Sequence, residues 1–130
     1  MKIKIKKLLL SMMVLLMGIY FQSIVFAYSE HNKNTNVIKM TDIVITIQHY
    51  ATVEDKKNLQ AIVDSNSSTA HEKIIATAII NIKHQATSED KQKLQAIIDT
   101  APTSTISNLA TVVSQFSHKI SAEGKRKLKQ

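Results

Sequence analysis

The sixteen residues HYATVEDKKNLQAIVD that begin at His49 return as HQATSEDKQKLQAIID from His84, with eleven identities in register. A weaker third copy, HKISAEGKRKLKQ, runs from His118 to Gln130 and keeps His118, Glu123, Lys125, Lys127 and Leu128 in step with the second. The copies start 35 and then 34 residues apart. Self-similarity at that period marks supersecondary units that cannot bury their apolar faces alone and must pack on one another.

The segments before each histidine, MTDIVITIQ, IATAIINIK and LATVVSQFS, align without gaps. Their shared pattern is apolar residues at i, i+3, i+4 and i+7: Met40, Ile43, Val44 and Ile47, then Ile75, Ala78, Ile79 and Ile82, then Leu109, Val112, Val113 and Phe116. That spacing draws one face of a helix. The β-branched run IVITI reads by itself as strand, but the two sister segments favour helix. Long helices are expected near Thr35–Gln48, Thr69–Lys83 and Thr103–Ser117.

A second, shorter helix follows each histidine. Thr52, Thr87 and Ser121 are N-cap candidates, because a hydroxyl can accept a hydrogen bond from a free first-turn N–H. Glu54 with Asp55, and Glu89 with Asp90, then fall where the helix dipole favours negative charge. The apolar positions Leu59, Ile62 and Val63, and Leu94, Ile97 and Ile98, sit on one side. Thr69 and Glu72 have the spacing of a capping box. The expected fold is all-α: three stacked helical hairpins with units near 35–68, 69–102 and 103–130, forming a short solenoid or a compact bundle. Leu59, Ile79, Leu94, Val113 and Phe116 should share one core, and the last helix, cut short at Gln130, should fray.

The N-terminus has the grammar of a secretory signal: Lys2, Lys4, Lys6 and Lys7, then an apolar run from Leu8, with Val25 and Ala27 fitting a cleavage point. Residues 1–27 are therefore expected to leave, 28–34 to be a flexible lead, and the mature chain to act in the periplasm or outside the cell. An uncleaved membrane anchor is the alternative. The chain has no cysteine, so neither disulfides nor thiolate metal sites form.

Charge narrows the functional classes. Of seventeen basic residues, four precede the cleavage point, leaving thirteen against ten acids. Lys125, Arg126, Lys127 and Lys129 crowd the last six positions. The high pI thus describes two ends rather than a nucleic-acid-binding surface. With two glycines in the chain there is no phosphate-cradling loop, and neither a nucleophile motif nor a cleft-forming pair of carboxylates stands out. No catalytic residue and no cofactor are expected.

Two features recur with the repeat. Lys56, Lys57, Lys91, Lys93, Lys125, Arg126 and Lys127 form a basic stripe along the short helices, either a solvated face or a surface for an acidic partner. His49, His84 and His118, each five residues before a glutamate, have donor types that bind zinc. Stacked helices lie about 8–10 Å apart, so equivalent histidines in successive hairpins should stay separated, and no metal site is expected from them. His31 and His71 read as isolated surface residues. The expectation for the whole is an exported, non-enzymatic helical-repeat protein that binds a protein partner as inhibitor, adaptor or chaperone. The alternative is an envelope effector that uses the basic stripe and tail on membrane or polyanion.

Overall fold

The computed structural model describes residues 35–130; the expected signal segment and the lead up to residue 34 lie outside them. The described chain is all-helical, with α1 at 35–46, α2 at Val53–Asp64, α3 at Ala70–Asn81, α4 at Ser88–Thr100, α5 at Ser104–Ser114 and α6 at Ala122–Lys127. None of these helices is long and apolar enough to cross a membrane.

The helix starts follow side-chain chemistry. Thr52 Oγ1 accepts from the Asp55 N–H at 3.1 Å, and the Asp55 carboxylate accepts in return from the Thr52 N–H at 3.2 Å. Thr69 and Glu72 close the same reciprocal box at the start of α3. Thr87, Thr103 and Ser121 cap α4, α5 and α6. Each of these bonds occupies one of the first-turn N–H groups that no helical carbonyl can reach.

The first helix of each pair ends earlier than the apolar period suggests. Helix α1 stops at 46, α3 at Asn81 and α5 at Ser114, yet Ile47, Ile82 and Phe116 stay buried. The apolar period runs on into the turn, by one residue in copies one and two and by two in copy three, because that residue still faces the core. The second helices are not shorter: α2 has 12 residues and α4 has 13, against 12 in α3 and 11 in α5. Only α6 is short, with 6 residues.

All twelve positions of the shared apolar pattern, from Met40 to Phe116, are buried, and they join Leu59, Ile62, Leu94 and Ile97 in a single cluster. Full burial of one such side chain contributes about 1.5–3 kcal/mol. Helices α2 and α3 pack together, as do α4 and α5, and α3 also meets both α4 and α5. The copies therefore form a compact helical bundle.

Copy three adapts to its place. Where copies one and two pair a small buried Ala51 or Ala86 with Asp55 or Asp90, copy three pairs the buried Ile120 with Gly124. A Cβ on Gly124 would meet Ile120 Cγ1 at 3.0 Å and Ser121 Oγ at 3.3 Å. The larger residue at one column is accommodated by the smallest at the other.

Candidate metal site at the junction of the three copies

Between the two helices of each copy, the chain makes the same tight turn. Its centre is His49, His84 and His118, with φ of 70°, 70° and 61°. The Tyr50 N–H donates to the Gln48 carbonyl at 2.9 Å, and the Lys119 N–H to the Ser117 carbonyl at 2.7 Å. These i→i+2 bonds around a positive-φ residue make γ-turns of the rare, strained form. Around His84 the corresponding contact runs the other way, from the Lys83 N–H to the Gln85 carbonyl at 3.4 Å.

The three turns lock into a ring. The His84 N–H donates to the His49 carbonyl at 2.7 Å, the His118 N–H to the His84 carbonyl at 2.5 Å, and the His49 N–H to the His118 carbonyl at 2.6 Å. Short antiparallel bridges flank it, pairing Gln48 with Lys119 and Gln85 with Ser117. A head-to-tail cycle of this kind closes only if the copies are arranged around an axis. The expected separation of the histidines is therefore wrong: it treats the hairpins as a linear stack, and the turns instead meet at a pseudo-threefold centre.

At that centre the imidazoles stand as three blades. Ring centroids are 5.0, 5.2 and 5.2 Å apart, with interplanar angles of 68°, 84° and 63°. His49 Nδ1 lies 3.0 Å from His84 Nδ1 and 3.2 Å from His118 Nδ1. One ligand atom from each histidine falls within 4.8 Å of both others, and all three residues are exposed. Metal–nitrogen bonds of about 2.0–2.1 Å at angles of roughly 90–110° place neighbouring donors about 2.9–3.4 Å apart. The two Nδ1 spacings from His49 fall in that window. They lie also within hydrogen-bond reach, so in the absence of metal a shared proton can bridge His49 to one neighbour at a time.

The backbone carries an independent sign. Positive φ is costly for a residue with a Cβ and free for glycine. Histidine nevertheless occupies this position in all three copies, although the third retains few other residues of the repeat. Strain that a glycine would remove points to a use for the imidazole.

Of the remaining sequence-predicted residues, Lys56 and Lys91 line one cleft beside the His84 turn. Lys57, Lys93, Lys125 and Arg126 are exposed, and Lys56, Lys91 and Lys127 half-buried. Lys93 Nζ reaches Glu89 at 2.6 Å. The hydrogen bond to Glu89 and its charge raise the Lys93 pKa above the usual lysine value; exposed on the surface, the pair adds little to stability. His71 is half-buried and stands apart from the cluster, and His31 lies outside the described residues. What the sequence reading lacked was the turn geometry. Its one available trace was a histidine held at equivalent positions of three units while neighbouring columns varied.

Comparison with known protein families, with characterised proteins and with solved structures finds no match for this chain.

Proposed function

We propose that this chain is an exported, non-enzymatic metal-binding protein whose His49–His84–His118 cluster takes one late first-row transition-metal ion. The observation that carries the reading is the convergence of three imidazoles, from segments 35 and 69 residues apart, with two Nδ1 spacings that suit one metal and all three ligand atoms within 4.8 Å of one another. Three neutral imidazoles suit zinc, copper or nickel, whereas calcium and magnesium call for oxygen donors. Isothermal titration of the full chain with Zn²⁺, Ni²⁺ and Cu²⁺ tests it. The reading expects one ion per chain and loss of binding when His49, His84 and His118 are all changed to Asn, a residue that also accepts positive φ. Equal binding by that variant would refute it.

A protein partner is the second reading. Copy one alone exposes a large apolar pair beside the cluster, Tyr50 at 61% and Val53 at 87%; the same columns hold Gln85 and Ser88, then Lys119 and Ala122. A complex that survives both removal of metal and the triple Asn change would favour this reading over the first.

A further inference from the structure

We infer that the open face of the histidine site takes a small oxyanion from solution, which completes the coordination of the metal; this rests on the metal-binding reading. Three neutral imidazoles leave the full charge of a divalent ion uncompensated, and among the described residues no carboxylate joins the three-histidine group. The nearby acids in sequence are engaged elsewhere. Asp55 receives the Thr52 hydroxyl at 2.6 Å, Asp90 the Thr87 hydroxyl at 2.7 Å, and Glu89 the Lys93 ammonium at 2.6 Å. Glu54 and Glu123 stay outside the group.

The surroundings add positive charge instead. The residues that flank the three histidines are Gln48, Tyr50, Lys83, Gln85, Ser117 and Lys119, which include two lysines and no acid. Beside the His84 turn opens a cleft of about 630 Å³, with Lys56, Lys83 and Lys91 in its walls together with Gln85. Lysines within a Debye length of about 8–10 Å raise the local concentration of anions without touching them. Because all three histidines are exposed, the side of the metal away from the protein remains open, as in metal sites that keep a position for an outside ligand. An anionic oxygen donor satisfies both demands at once: it fills the open position and offsets the charge.

The test uses the full chain loaded with Co²⁺ in a weakly coordinating buffer, with visible absorption as the readout. A cobalt spectrum that needs His84 and appears before any anion is added confirms the metal site on its own terms. Acetate or inorganic phosphate should then change that spectrum saturably, one anion per metal. Lys83→Gln and Lys119→Gln should each weaken the anion about two- to threefold, the scale of one unit charge acting through water within the screening length, while leaving cobalt binding unchanged. A cobalt spectrum indifferent to both anions overturns the inference and leaves the metal reading standing. Absence of any cobalt spectrum removes the metal reading, and the inference with it. Phosphatidic-acid vesicles replace inorganic phosphate in a parallel arm, and a response to vesicles alone overturns assignment to a free anion.

Discussion

The Nδ1 atoms of His49 and His84 lie 3.0 Å apart although 35 residues separate them along the chain. Each sits on a residue with φ of 70°, and the His84 N–H reaches the His49 carbonyl at 2.7 Å. Backbone and side chain thus converge on one axis: the peptide ring sets the distance between turns, and positive φ sets the direction of each imidazole.

Metal should stabilise the folded chain, since the unfolded chain does not hold the three donors together. At a hundredfold excess over Kd, mass action adds about 2.7 kcal/mol, a rise in melting temperature on the order of 10 °C for a domain of this size. Calorimetric melts with and without Zn²⁺ measure the rise. A shift that persists when His49, His84 and His118 are all changed to Asn would point to metal held by other groups.

His84→Gly separates strain from function. Relief of positive φ should leave the metal-free protein as stable as the parent, or more stable by about 1 kcal/mol. The same change should abolish the zinc-dependent shift. Urea unfolding of the metal-free variant decides: a loss above about 2 kcal/mol would mean that the imidazole holds the fold itself.

Leu94 has no exposed surface, and Val53 is 87% exposed. Leu94→Ala should cost about 2–5 kcal/mol through lost contacts and the cavity left behind. Val53→Ala should stay within about 0.5 kcal/mol of the parent. Chemical denaturation of the two variants provides the comparison, and a neutral Leu94→Ala would contradict the core described above.

Ile120 and Gly124 should be coupled. Gly124→Asp, which restores the residue of the other two copies, should cost about 1–3 kcal/mol by overpacking against Ile120. In an Ile120→Ala background the cost should shrink or reverse, because the pair then matches Ala51 with Asp55 and Ala86 with Asp90. A double-mutant cycle measures the coupling, and strict additivity would rule out the compensation.

Local rules acting within a few residues specified the helix starts and the buried faces, but not the helix ends, and the strand-like run IVITI needed its two sister segments to be read as helix. The period of Met40, Ile43, Val44 and Ile47 and its two echoes decided which faces are buried, and all twelve residues are. The hydroxyls of Thr52, Thr69, Thr87 and Ser121 marked helix starts, since capping needs only a side chain and the N–H three residues on. The repeat also disclosed that His49, His84 and His118 are equivalent. Whether equivalent residues meet depends on the rotation from one copy to the next, and no local pattern encodes a rotation. That angle emerges from the packing of the whole core, α3 against α4 and α5 together with the closing bond from the His49 N–H to the His118 carbonyl. A linear stack would have held the three imidazoles a helix spacing apart; only the tertiary structure, by closing the copies on an axis, turned three equivalent side chains into one site.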